Sequence, residues 1–223
     1  MVKVISIATD SHSKMIDDLS DELLKYTSYE LKVKHLSDEN DGSFGTIGFF
    51  NSCYAKIQYI IDSLSESSDI DYLIYLDSDI SVRGDIVSEM ISELNRSCCD
   101  ILFQQDSPGT FCAGMFVCNN NNKILDFFKT IEYNLQNNIE YYKNKTSDQT
   151  AINELLPTSD LKYNTLSLKF TTYGNIAPNI GDQVLWSPNS PKFEISNDVL
   201  AFHANFTIGR ENKLELLKYV RSL

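Results

Sequence analysis

Tyr72-Leu73-Ile74-Tyr75-Leu76-Asp77-Ser78-Asp79-Ile80-Ser81-Val82 is the stretch on which the fold of this chain turns. Its first five residues are apolar, in part β-branched or aromatic, and lack the polar spacing of a helix, so they predict a short strand covered on both faces. The run then breaks into two carboxylates separated by one small residue. In open α/β sheets ligands gather beyond the carboxyl ends of the strands. That rule puts Asp77 and Asp79 on a ligand-bearing edge, with Ser78 small enough to admit a phosphate or a sugar. Neighbouring carboxylates disfavour each other's ionisation, so the pair calls for a cation, and hard oxygen ligands suit Mg²⁺ or Mn²⁺. Asp-x-Asp also arises by chance and as a turn cap; its place after a buried strand is what favours a metal.

Outward from this stretch the pattern alternates. Residues 3–8 (KVISIA) read as a first strand, followed by the polar turn Thr9-Asp10-Ser11-His12, a helix over 15–26 and a second strand over 30–36. A polar, glycine-containing loop follows, and residues 40–48 read as a cover for the site. Tyr54, Ile57, Ile60, Ile61 and Leu64 recur at helical spacing over 52–65. Beyond the acidic pair, 86–94 reads as helix, 100–104 and 111–118 as strands, and 123–137 as helix. A further helix starts near Ser147 and is ended by Pro157; a strand lies around 199–203 and a closing helix runs from Asn212. Strand and helix in alternation predict an α/β fold, a mostly parallel central sheet flanked by helices in a single domain spanning 1–223.

The chain has 223 residues, 42% of them hydrophobic, enough for one substantial core. Its net charge of −12 argues against a partner read through a phosphate backbone, so nucleic acid is not expected. A small anionic ligand remains compatible if a divalent cation and a few basic groups offset the repulsion locally. The start of the sequence does not resemble a secretory signal, no run reaches transmembrane length, and the five cysteines show no paired spacing; a cytoplasmic setting with reduced thiols is expected.

Far downstream, LAFHANFTIGRENK (200–213) is an apolar strand ending in His203, with Gly209 and Lys213 beyond it. A lone histidine is most often structural. A histidine at a strand end, in a chain that already carries two strand-end aspartates, is a candidate third ligand. Lys213 could then reach a phosphate as a point charge.

These residues carry a resemblance. Ala8-Thr9-Asp10, Tyr54-Ala55-Lys56, Leu76-Asp77-Ser78-Asp79, Ser147-Asp148-Gln149 with Asn153, and His203 through Lys213 occur in the order seen in GT-A glycosyltransferases that use nucleotide-diphospho-sugars. The chain is most similar to the retaining family of bacterial lipopolysaccharide galactosyltransferases and glycogenin, and it also resembles small glycosyltransferase domains of large DNA viruses. The resemblance implies a GT-A, Rossmann-like fold, with an N-terminal part for the nucleotide and a C-terminal part for the acceptor. It implies transfer of a sugar from a UDP-sugar donor to a glycan or other hydroxyl acceptor with retention. Ala8, Thr9 and Asp10 would line the uridine pocket. Asp77, Asp79 and His203 would hold Mn²⁺ or Mg²⁺ on the diphosphate, with Asp77 or Ser78 also at the ribose. Lys56 would face the donor sugar or phosphates, and Gly209 and Lys213 would close on the leaving group. Asp148 would bind sugar hydroxyls and Gln149 would lie near the anomeric carbon.

Three departures stand out. The family often carries Asn-x-Gly where this chain reads Cys112-Ala113-Gly114, lysine replaces arginine at 56, and the closing Lys-Pro-Trp is here Lys213-Leu214-Glu215. Two alternatives share parts of the pattern: a catalytically silent sugar-nucleotide binding module, and an Asp-x-Asp phosphohydrolase with Asp77 as nucleophile. The acceptor is expected along 161–191, where Tyr163, Tyr173 and Trp186 either stack on sugar faces or pack in the core.

Overall fold

The computed structural model describes residues 1–37, 45–66, 69–107, 109–176 and 185–223. In chain order the elements are β1 (Val2–Thr9), α1 (Ser13–Tyr26), β2 (Leu31–Leu36), α2 (Ile47–Ser65), β3 (Tyr72–Leu76), β4 (Ile80–Val82), α3 (Ile86–Ser97), β5 (Ile101–Ser107) and β6 (Thr110–Asn119). Then come α4 (Asn122–Asn137), α5 (Ile139–Tyr142), α6 (Ser147–Leu155), β7 (Tyr163–Thr165), β8 (Phe170–Thr172), α7 (Tyr173–Ile176), β9 (Ala201–His203) and α8 (Arg210–Arg221). The main sheet has six strands in the order β2-β1-β3-β6-β5-β7. Parallel pairing joins β1 to β2 and β3, and β5 to β7; β6 alone runs against the rest. That reversal is forced, because β5 and β6 are joined by a hairpin too short for a crossover.

β3 is buried on both faces, as its sequence predicts. Leu73 and Tyr75 enter one cluster with Phe103, Phe116 and residues of α2, α4 and α6, while Ile74 and Leu76 enter another with residues of α1 and α3. Alternation with a period of two thus distributes one short strand between two cores. A third cluster gathers Phe202, Trp186 and Tyr173 under Leu216, Leu217 and Val220 of α8.

Several boundaries differ from expectation. α2 begins five residues before Ser52, because the Thr46 side chain accepts from Phe49 N at 3.2 Å and caps the helix there. Gly48 therefore lies inside this helix. Residues 40–44 of the expected cover, with Gly42, lie outside the described residues, as do 177–184 of the expected acceptor segment. The irregular tail contains β7 and β8, and β8 joins β4 and β9 in a second sheet ordered β4-β9-β8. Three-residue strands are too short to display a period. Tyr173 and Trp186 are buried in the third cluster and Tyr163 sets its ring edge-on to Phe111 at 5.5 Å, so these aromatics serve packing.

Candidate active site

Two sheets meet at the turn Asp77-Ser78-Asp79. On one side Asp77 N donates to Gly114 O at 2.7 Å, and on the other Ala204 N donates to Asp79 O at 2.9 Å. The turn is therefore fixed at both ends by backbone bonds, one to β6 and one to the residue after β9. His203 pairs with Ile80 across the small sheet, which brings its ring beside Asp79. One ligand atom each from Asp77, Asp79 and His203 lies within 4.8 Å of the others. His203 Nε2 is 3.1 Å from Asp79 Oδ1 and 3.9 Å from Asp77 Oδ2. Two carboxylates and an imidazole converging in this way match the donor set of a hard-to-borderline divalent cation.

Cationic side chains hold this cluster together. Lys213, from the first turns of α8, sets its ammonium 2.6 Å from Asp79 Oδ2. Burial raises the Asp79 carboxyl, but the Lys213 ammonium and the His203 imidazole outweigh it and hold the group well below the usual carboxylate range. Burial likewise disfavours the charged imidazole, yet Asp79 holds His203 protonated well above its ordinary range. Lys56, 5% exposed on α2, lies 2.8 Å from Asp148 Oδ2 and 3.2 Å from Asp77 Oδ1, with its ammonium 4.6 Å from the centre of the Tyr75 ring. Burial works against its charge, but Asp148 and Asp77 keep it protonated. Its side chain is thus committed to two carboxylates, tying α2 to the ends of β3 and α6.

α6 supplies Asp148 and Gln149 from its first turn. Ser147 enters it with a φ of 25°, a conformation that costs a non-glycine residue about 1–3 kcal/mol. Gln149 Oε1 accepts from Ala113 N at 3.2 Å and its Nε2 donates to Asp106 Oδ2 at 3.0 Å, which fixes its amide orientation. Asp106 Oδ1 also accepts from Asn205 Nδ2 at 2.6 Å. Burial pushes the Asp106 carboxyl up, opposed by the Gln149 bond.

Ala8, Thr9 and Asp10 share this edge, since β1 runs parallel to β3 and ends beside it. Ala8 is buried, Thr9 Oγ1 lies 2.8 Å from His12 Nδ1, and Asp10 is exposed. They flank the ion-pair network rather than join it. Ser78 is half-buried in the turn, and Gly209 is exposed at the N-terminus of α8, where its φ of 87° sets the direction of the helix bearing Lys213.

Residues to which the sequence assigned no role complete the edge, two of them, Cys112 and Gly114, from the segment that departs from the family's Asn-x-Gly. An added Cβ on Gly114 would lie 2.3 Å from His203 Cε1 and 2.5 Å from Asp77 Oδ2, so only glycine lets β6 pass this close. Asp106 lies near the end of β5, beyond the apolar Ile101-Leu102-Phe103 and the intervening Gln104 and Gln105. Cys112 is buried with Sγ 3.7 Å from His203 Nδ1, behind the imidazole as seen from the carboxylates.

Residues 67–217 match the family of nucleotide-diphospho-sugar transferases. A search of curated protein sequences returned no match. Among solved structures, a glycosyltransferase involved in glycosylation of the major capsid of PBCV-1 is similar at a TM-score of 0.65 and 13% identity, over 97% of this chain and 98% of that one. The galactosyltransferase LgtC, solved with donor and acceptor sugar analogs, is similar at 0.57 and 15%, over 100% and 96%. GlyE of Streptococcus pneumoniae TIGR4 is similar at 0.52 and 17% over 76% of this chain, which spans 46% of GlyE. At these identities the likeness is one of fold, the GT-A architecture of a mostly parallel sheet flanked by helices. The family match covers the Asp-x-Asp turn, α6, β9 and Lys213, and it sets aside the phosphohydrolase alternative: this chain belongs to the nucleotide-diphospho-sugar transferases.

Proposed function

We propose that this chain transfers a hexosyl group from a UDP-sugar to a glycan or other hydroxyl acceptor with retention of anomeric configuration. The observation that carries this reading is the convergence of Asp77, Asp79 and His203 at the strand-end edge of a nucleotide-diphospho-sugar transferase. These three residues would hold Mn²⁺ or Mg²⁺, which when bound neutralises charge on the departing diphosphate. Lys213, already beside Asp79, would add its charge to the same phosphates, and Gly209 would set its approach. Thr9 and Asp10, with Ala8 beneath them, would line the uridine pocket, and Asp77 or Ser78 would meet the ribose. Lys56 would act at one remove, holding Asp77 and Asp148 in place.

Sugar transfer also needs stabilisation of an oxocarbenium-like centre. Gln149 is immobilised by Ala113 and Asp106, so its carboxamide oxygen would face the anomeric carbon without reorganising, with the Asp106 carboxylate adding negative potential behind it. Asp148 would bind sugar hydroxyls. Asn205 Oδ1 is buried with no partner among the described residues, an acceptor that a ligand hydroxyl would satisfy. On this reading residues 1–223 work as one catalytic unit, with the nucleotide on the N-terminal part and the acceptor on the C-terminal part. No described helix is long and apolar enough to cross a membrane. The five cysteines are free, which fits the reducing, cytoplasmic setting proposed here.

The test is a screen of UDP- and GDP-sugars with Mn²⁺, reading nucleotide release and binding heat. UDP-sugar binding that requires Mn²⁺, with slow UDP release in the absence of acceptor, is expected. Asp79→Ala should abolish metal-dependent binding and Gln149→Ala should mainly lower turnover. Absence of UDP affinity with Mn²⁺ present would overturn the reading, and binding without turnover in any acceptor screen would favour the silent binding module.

A further inference from the structure

His203 can serve as a metal ligand through Nε2 only if that nitrogen presents a lone pair, and the groups behind the ring decide whether it does. Gln104 is fully buried at the point where the β5–β6 register jumps: Phe103 pairs with Phe116, yet the next residue, Gln104, pairs with Cys112. Such an irregularity re-aims a side chain. Here it turns Gln104 toward the second sheet, where its Nε2 lies 3.1 Å from Thr171 O and 3.3 Å from Phe170 O. Both partners are carbonyls and can only accept, so the amide orientation is determined by bonding. Its Oε1 is left facing His203 Nδ1 at 2.9 Å. An amide oxygen can only accept as well, so Nδ1 must carry the proton.

We infer that Gln104 is a positioning residue that keeps a proton on Nδ1 of His203, so that Nε2 is the nitrogen that gives up its proton and ligates the metal. The inference rests on the metal-site reading proposed above. The lock is a chain of three bonds, from the β8 carbonyls through one carboxamide to the imidazole, and it reaches the side of the ring opposite Asp79. Cys112 Sγ, 3.7 Å from the same nitrogen and accepting from Gly114 N at 3.4 Å, is a weak neighbour that cannot replace an amide oxygen.

Two measurements test it. Long-range ¹H–¹⁵N spectra of the wild-type chain saturated with diamagnetic Mg²⁺ report which nitrogen of each histidine is protonated; with three histidines in the sequence, His12→Gln and His35→Gln assign the signals. His203 should be protonated at Nδ1 and bare at Nε2, and protonation at Nε2 overturns the inference without any change at position 104. Gln104→Met keeps the length of the side chain and removes the acceptor. Titrated with Mn²⁺ alone, it should bind about 10- to 100-fold more weakly than wild type, the range found for groups that orient metal ligands, and the spectra should show mixed tautomers. Wild type that binds Mn²⁺ while Gln104→Met binds it equally well overturns this inference alone. Wild type that binds no divalent cation overturns it together with the metal-site reading.

Discussion

Asp79 and His203 are a buried pair whose ionisation each depends on the other. In the metal-free protein the His203 imidazole is held protonated above its ordinary range by Asp79, against the pull of burial. A raised imidazole pKa stabilises the fold fully below the unfolded value of about 6.5, and this is lost as pH rises through the folded value. Asp79 is depressed, so its contribution is present above the unfolded carboxylate range and is lost as pH falls through its folded value. Between those limits the pair stabilises the metal-free protein. A divalent cation ligated by Nε2 would replace the proton there, so binding should release up to about one proton per ion and tighten as pH rises through the folded imidazole range. Calorimetric Mn²⁺ titrations in two buffers of different ionisation enthalpy measure that proton directly. Equal apparent heats in both buffers would show that His203 does not give up a proton to the metal.

At the scale of elements, the site depends on where β6 leaves its partners. The β5–β6 ladder jumps between Phe103 and Gln104, and the residues it skips on β6 include Gly114, whose carbonyl receives Asp77 N. Gly114→Ala would place a methyl carbon against the His203 ring and the Asp77 carboxylate. Overpacking of a tight interior costs about 1–3 kcal/mol. Urea unfolding should register a loss of that order, and Mn²⁺ affinity should fall at least about tenfold because either response, moving the ring or moving the carboxylate, breaks the donor set. Wild-type affinity in this variant would mean that the three ligands do not act together. The same jump explains what the sequence left hidden. Asp77, Asp79, His203, Lys56, Asp148 and Lys213 were legible because strand ends and ordered motif patches are local signals. Gln104 acquires its role through a register irregularity that no periodicity encodes, and Gly114, although it matches the glycine of the family's Asn-x-Gly, shows its close approach to His203 only in the folded chain. The second sheet was hidden for a related reason, since β4, β8 and β9 hold three residues each. Asp106 gave a weaker signal, because Gln104 and Gln105 separate it from the apolar run of β5.

For the molecule as a whole, the site sits where two sheets already share a core, since Ile74 and Leu76 of β3 pack in one cluster with Ile80 and Val82 of β4, Phe170 of β8 and Ala201 of β9. Asp77 and Asp79 follow β3 of the main sheet, His203 ends β9 of the small sheet, and Lys213 belongs to α8, which packs on the third cluster. A cation bound by the first three would bridge the two sheets, and the net charge of −12 favours its arrival. Binding to the native state alone adds stability as RT ln(1 + [L]/Kd), about 2.7 kcal/mol at a hundredfold excess over Kd. For a domain of this size that corresponds to a rise in Tm of roughly 5–10 °C. A thermal melt with increasing Mn²⁺ should show this shift growing logarithmically beyond Kd, and UDP should raise Tm further only when Mn²⁺ is present, because the diphosphate needs the ion to approach Asp77 and Asp79. Asp79→Asn should abolish both increments while leaving the three cores intact. A Tm that rises with UDP alone would place the nucleotide's main attachment on basic groups instead of on the metal, and would shift the weight of recognition to Lys213.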